Sequence, residues 1–182
     1  MSWSIGLLET NSIARGIFTG DAMLKAAAVR LVMAQPVCAG KYMLIVSGDT
    51  AAVEASVAAG DAAAGANSVD HAVLSNIDDA VLRAMAAATS VERKEAVGVI
   101  ETFSLTASIL AADIAVKAAR IELIEVRLGR GLGSKSFVLL TGATADVKAS
   151  VSAAAGDASI KGMVVSTAVI PSLHEDMYNQ IL

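Results

Sequence analysis

The sequence predicts a mixed α/β protein of the α+β type, with two tandem domains of the ferredoxin-like (split βαβ) kind. The prediction depends on an internal repeat, on short apolar runs that end at glycine, and on helical spacing between those runs. Ile5–Thr10 returns as Val97–Thr102, and Asp21–Ala27 returns as Asp113–Ala119. Two copies of one long unit indicate a tandem duplication, because a solenoid repeats a short unit many times.

Each half of the 182-residue chain is long enough for a small domain. We place the first domain at residues 1–90 and the second at residues 91–182. The linker is expected at residues 87–95, where the charges of Glu92–Glu95 interrupt the apolar pattern.

Each copy contains four apolar runs that predict strands. The first runs, Ile5–Leu8 and Val97–Ile100, are continuously apolar, as buried strands are. The remaining predicted strands are Val29–Ala34, Tyr42–Ser47 and Val69–Leu74 in copy one, and Ile121–Leu128, Ser136–Thr141 and Met163–Ala168 in copy two. With a helix after the first and third strands, the order is β-α-β-β-α-β, which predicts a four-stranded antiparallel sheet with flanking helices in each domain.

The first helix of each copy follows a Thr-x-Ser segment whose hydroxyl groups suit a helix N-cap. Apolar residues then recur at helical spacing, and we expect this stripe to face the core. The stripe comprises Ile13, Ile17, Leu24 and Ala28 in copy one, and Leu105, Ile109 and Val116 in copy two.

Composition excludes several classes of protein. Although 55% of the residues are hydrophobic, charges interrupt every stretch that approaches the ~20 residues of a membrane span. The start of the chain, Met1–Ser4, lacks the features of a signal peptide, which predicts the cytoplasm. A net charge of −4 argues against a nucleic-acid partner. The excess of apolar residues predicts that subunits pack together.

Closure into a ring would cover the sheet edges that a split βαβ domain leaves open. Three copies of a two-domain chain would place six domains around a threefold axis, so we expect a homotrimer. The loops between the second and third strands would then meet at the axis and line a pore. The predicted pore-loop residues are Pro36, Val37, Ala39 and Gly40 from copy one, and Gly129, Arg130, Gly131, Leu132, Gly133 and Ser134 from copy two.

Cys38 is the only cysteine and lies in the first of these loops. A single cysteine is commonly a small, inert, buried side chain. On a threefold axis, however, three thiols would meet at one point. A cubane cluster takes about four thiolates, so three chains could nearly supply one. A pore of free thiols or a soft-metal site is the alternative.

The remaining candidate residues do not predict an enzyme. His71 and His174 are dispersed and have no cysteine or acidic cluster spaced for zinc. Glu9 and Glu101 recur as part of the repeat, so we expect them to satisfy nearby backbone N–H groups rather than to act as an acid–base pair.

Several motifs in the same order resemble the shell-protein (BMC) domain of bacterial microcompartments, and the resemblance covers the chain twice. They are the Gly6-x-x-Glu9-Thr10 opening, the Asp21–Ala27 helix, Gly48-Asp49, and the late Ile170-Pro171-x-x-His174 segment. The resemblance implies a non-enzymatic tandem-domain shell protein whose trimers mimic hexamers and tile the shell. Where the family has arginine before the second proline of its Pro-Arg-Pro-His segment, this chain has Ser172.

Within that family, Pro36–Lys41 most resembles the tandem shell protein of propanediol-utilisation compartments. This resemblance implies one [4Fe–4S] cluster per trimer at the central pore, held by Cys38, for electron transfer across the shell or cluster delivery. It also implies that Lys25 and Lys117 are edge contacts between neighbouring tiles, although solvated surface charges are the alternative for both.

The implied partners are other shell proteins and enclosed redox enzymes. Two other functions stay open at this point: a shell tile with a metabolite pore and no cluster, and a regulatory trimer that binds a small molecule.

Overall fold

The structure, a computed structural model, describes residues 4–91, 95–129, 133 and 135–181. The first copy contains β1 (Ser4–Thr10), α1 (Ile13–Ala26), β2 (Arg30–Val37), β3 (Lys41–Gly48), α2 (Thr50–Ala64) and β4 (Ser68–Ser75), followed by α3 (Asp79–Met85). The second contains β5 (Ala96–Thr102), α4 (Leu105–Ala118), β6 (Ile121–Arg127), β7 (Ser136–Gly142), α5 (Thr144–Gly156) and β8 (Val164–Ile170), followed by α6 (Glu175–Ile181).

The two sheets have the same topology. Their strand orders are β2-β3-β1-β4 and β6-β7-β5-β8, and every neighbouring pair is antiparallel. This confirms the predicted fold class, two split βαβ domains with a four-stranded antiparallel sheet each. The short helices α3 and α6 were not predicted.

The described residues divide into two compact units. The first extends to Ile77 and also takes in Ser104–Thr106 and the described residues of 129–134, and the second contains the rest from Asp78 onward. Helix α3 therefore belongs to the second unit, where it packs on β6. The predicted boundary near residue 90 stays a prediction, and residues 92–94 of the predicted linker lie outside the described residues.

The core of the first unit lies between its sheet and the helices α1 and α2. Leu8, Leu44 and Val46 of the sheet pack with Met23 of α1 and with Val53 and Val57 of α2. A Cβ atom on Gly6 would lie 2.4 Å from Val57 Cγ2, so glycine is required for α2 to lie this close to β1.

The expectation that the apolar stripe of α1 faces the core is wrong. Ile13, Ile17 and Leu24 are exposed, and the buried residues of α1 are Gly16, Thr19, Gly20 and Met23. Small residues on the buried face bring the helix close to the sheet, which leaves the larger apolar side chains on another face. In α4 the expectation holds for Leu105 and Ile109, which are fully buried.

In the described part of the chain, no helix is both long enough and apolar enough to span a bilayer.

Candidate functional site

Cys38 lies in a single 3-10 turn, Cys38–Gly40, that joins β2 to β3. Ala39 and Gly40 adopt left-handed backbone conformations with φ of 60° and 73°, which reverses the chain within three residues. Cys38 is half-buried and forms no disulfide. Pro36 and Val37, predicted as loop residues, form the end of β2, and Val37 pairs with Lys41 across the turn.

The described part of the second predicted pore loop lies against this turn. The Cys38 N–H donates to the Gly129 carbonyl at 3.0 Å. Gly129 has φ of 62°, and a Cβ atom built on it would lie 3.5 Å from Leu105 Cδ1. Gly133 also has a left-handed φ, of 57°. The other predicted residues of this loop, Arg130, Gly131, Leu132 and Ser134, lie outside the described residues.

A buried carboxylate lies between β3 and the start of α4. Lys41 Nζ donates to Glu9 Oε1 at 2.5 Å, and Glu9 Oε2 accepts the Leu105 N–H at 2.9 Å. Glu9 is fully buried, and Lys41 nearly so. This confirms that Glu9 satisfies a backbone N–H group. No role was predicted for Lys41, although the lysine that follows the loop is repeated at Lys135.

The equivalent pair in the second unit is open to solvent. Lys135 Nζ lies 2.9 Å from Glu101 Oε1, and the Glu101 side chain is 32% exposed. Val99, Phe137 and Leu139 line a shallow apolar cavity of about 300 Å³ beside Glu101. An apolar concave surface next to a half-exposed carboxylate can accept the end of an apolar helix.

The described residues of one chain do not bring together the ligands for a cluster. No three His, Cys, Asp or Glu side chains come together as a potential metal site among the described residues. Cys38 is the only cysteine, and iron–sulfur clusters are held mainly by thiolates. The donor type suits a cluster, but the number of donors requires several chains.

The two predicted edge lysines lie at equivalent places in unlike surroundings. Lys25 pairs with Asp21 at 2.7 Å on an exposed helix surface. Lys117 pairs with Asp113 at 2.6 Å, and Asp113 also accepts the Asp78 N–H at 3.0 Å. Both pairs hold the lysine along its own helix, and the lysine side chains are 74% and 46% exposed, respectively.

The sequence is similar to those of known proteins of one family. Residues 4–77 and 96–173 each match the BMC domain. Over 182 residues the chain is 43% identical to the bacterial microcompartment shell protein PduT of Citrobacter freundii, which covers all of this chain and 99% of that protein. It is 43% identical over 84 residues to the shell protein EutM of Salmonella typhimurium, which covers 46% of this chain and 84% of that protein.

A solved structure has the same fold over nearly the whole chain. The crystal structure of a microcompartment protein from Desulfitobacterium hafniense superimposes with a TM-score of 0.85 at 49% identity, and the match covers 98% of this chain and 99% of that one.

Proposed function

The chain belongs to the BMC domain family and is a structural shell protein of a bacterial microcompartment, and we propose that it acts as a homotrimer with a [4Fe–4S] cluster at its pore. Three Cys38 thiolates would hold one cluster on the threefold axis. When bound, such a cluster supplies one-electron transfer, or iron and sulfide for delivery to enclosed enzymes.

The observation that carries the trimer is a difference between equivalent helices. Ile17 of α1 is 58% exposed, whereas the equivalent Ile109 of α4 is fully buried. The neighbouring Phe18 is 56% exposed. Because the same residue type is covered in one copy and not in the other, a second chain is the natural partner for the α1 face.

The second strands show the same difference. Leu31 of β2 is 42% exposed, whereas the equivalent Leu123 of β6 is buried in the unit where α3 packs on β6. In α3, Val81 is fully buried, and its counterpart Met177 of α6 is 54% exposed. We infer that α6 of one chain covers β2 of the next as α3 covers β6.

The third difference concerns the carboxylates. Glu9 accepts the N–H of Leu105, the first residue of α4, whereas Glu101 is half-exposed beside an apolar surface. The equivalent of Leu105 is Ile13, the first residue of α1. We infer that Glu101 accepts the Ile13 N–H of the next chain, a head-to-tail contact that gives a closed ring when three chains are related by a threefold axis.

The cluster proposal is supported by the position of Cys38 in the turn and by its thiolate chemistry. The thiol lies at the tip of the β2–β3 connection, not within a strand. In a closed ring that connection would face the axis. Three thiolates leave one iron atom of a cubane without a cysteine ligand, so this iron should be lost readily on oxidation.

Anaerobic reconstitution of the trimer tests the proposed function. We expect about four iron atoms per trimer, absorption near 400 nm and an EPR signal on reduction, since one cubane contains about four irons. Cys38→Ser should abolish the cluster and leave the trimer intact, because a hydroxyl oxygen is a poor ligand for cluster iron. Sedimentation measures the trimer separately.

A shell tile with a metabolite pore is the second candidate, because the BMC relatives share the fold that both functions need. A trimer that binds no iron under these conditions would support this function. Cluster signals that persist in Cys38→Ser would place the cluster elsewhere.

A further inference from the structure

We propose that the buried Glu9 carboxylate is the positioning residue of the Cys38 turn. Glu9 does not touch Cys38. It acts through two contacts, one with the strand that leaves the turn and one with the helix terminus that supports the hydrogen-bond acceptor of Cys38.

The first contact fixes the outgoing strand. Lys41 follows the turn directly, pairs with Val37 across it, and donates its ammonium group to Glu9 Oε1. Glu9 itself is held in β1, where it pairs with Met43 of β3 and Asp70 of β4. A buried ion pair anchored in a central strand of the sheet therefore holds one side of the turn.

The second contact fixes the acceptor of the Cys38 N–H. Glu9 Oε2 accepts the Leu105 N–H, and the Leu105 side chain borders Gly129, where an added Cβ atom would lie 3.5 Å from Leu105 Cδ1. Gly129 in turn accepts the Cys38 N–H at 3.0 Å. The two oxygens of the Glu9 carboxylate thus support the turn in two ways. One binds Lys41, which follows the turn, and the other binds Leu105, which lies beside Gly129, the acceptor of the Cys38 N–H.

The turn has little packing of its own. Ala39 and Gly40 are exposed, and a Cβ atom on Gly40 would meet no atom within 4 Å. A segment with few packed atoms opens locally at low free energy unless its ends are held. The position of the thiol therefore depends on the contacts that flank the turn, and Glu9 supports two of them: it pairs with Lys41 directly and bonds to Leu105 beside Gly129.

Only the reason for holding the thiol in place rests on the proposed function. Three thiols that bind one cluster must be placed together, and residues that support the ligands set that geometry. The positioning claim itself concerns the thiol and can be measured without iron.

Thiol reactivity tests the claim, because Cys38 is the only thiol in the chain. We expect the iron-free trimer of Glu9→Gln to react with Ellman's reagent on the order of tenfold faster than the parent, since the turn opens more often. The rates are compared well below the unfolding temperature, with the trimer verified by sedimentation.

Asp113→Asn is the matched control. Asp113 is also nearly buried and also links a lysine ammonium to a backbone N–H group, but it does so at the far end of α4 and the start of α3. We expect its thiol rate to stay within about twofold of the parent, although the loss of this nearly buried carboxylate also lowers thermal stability. If Glu9 only stabilises the fold, both substitutions should lower the unfolding temperature, and neither should change the reaction rate of the Cys38 thiol.

Glu9→Gln leaves the Lys41 charge buried without its partner, so it could fail to fold. The double variant Glu9→Gln/Lys41→Met removes both charges and is then measured in its place, with the same expected acceleration. A thiol rate within about twofold of the parent in the folded variant, or an equal acceleration in Asp113→Asn, overturns the positioning claim.

Iron analysis separates this result from the proposed function. A parent trimer without iron contradicts the cluster and leaves the thiol comparison valid. In a loaded trimer, the EPR g values of the reduced cluster should shift in Glu9→Gln and stay unchanged in Asp113→Asn, because only the first change moves the ligands.

Discussion

At the scale of single residues, the two copies fill equivalent positions differently. Gly16 of α1 lies directly against Tyr42 of β3, and a Cβ atom on Gly16 would lie 2.4 Å from Tyr42 Cβ. The equivalent residues in copy two are Ser108, whose hydroxyl bonds to Thr102 at 2.8 Å, and the buried Ser136. One copy thus pairs a glycine with a large aromatic ring at these two positions, and the other copy has two serines there.

We expect Gly16→Ala to destabilise the protein by about 1–3 kcal/mol, because the added methyl group overlaps an atom next to the Tyr42 backbone that cannot move aside. Gly156→Ala is the control, since a Cβ atom there meets nothing within 4 Å. It should be neutral or stabilising by about 0.5–1 kcal/mol, because alanine restricts the unfolded chain and favours the helix.

Denaturant unfolding at one protein concentration measures both glycine variants. Equal stability of Gly16→Ala and the parent would show that α1 can shift away from the sheet without loss.

At the scale of elements, the sequence was sufficient for the strands and insufficient for the helix faces. Apolar runs and the repeat predicted all eight strands and their order, because a buried strand has a pattern that local reading detects. Helices α3 and α6 were missed since seven residues give too few turns for a helical period. The face of α1 was wrong because periodicity favours large side chains, whereas Gly16 and Gly20 form the contact with the sheet.

The candidate site was predictable where chemistry repeats and unpredictable where tertiary contacts decide. Cys38 was predicted to lie in a turn, since it follows Pro36 and precedes Gly40, and the structure places it there. The use of Glu9 as a structural carboxylate followed from its recurrence at Glu101. Its bond to Leu105 joins residues far apart in the chain, and no local pattern contains that information.

The exposed face of α1 gives a prediction at this scale. We expect Ile17→Glu to convert the trimer to monomers at micromolar concentration, because a buried unpaired carboxylate costs several kcal/mol at each of the interfaces. Ala55→Glu places the same charge on an exposed position of α2 and should leave the trimer unchanged. Sedimentation velocity distinguishes the two results, and an Ile17→Glu trimer would remove the α1 face from the interface.

At the scale of the whole molecule, the exposed apolar residues are concentrated on elements whose counterparts in the other copy are covered. Most exposed large apolar residues lie on α1, β2 and α6, and the counterparts Ile109, Leu123 and Val81 are buried; Leu82 of α3 and Phe103 are the exceptions. The composition predicted that subunits pack together, but it does not say which surface of the chain is covered. The difference between the copies identifies this surface, because residues that are exposed in one copy have buried counterparts in the other.

The same comparison bears on lateral tiling by Lys25 and Lys117. We expect the double variant Lys25→Ala/Lys117→Ala to form trimers and to lose extended sheets, because contacts worth about 0–1 kcal/mol each become decisive when an array repeats them. Lys148→Ala removes an exposed charge from α5 and is the control. Since Asp113 is nearly buried, Lys117→Ala should also lower the unfolding temperature, whereas Lys25→Ala should not, as Asp21 is well solvated. Electron microscopy of the purified trimers at equal concentration measures tiling, and sheets that form as readily in the double variant as in the parent would make both lysines ordinary surface charges.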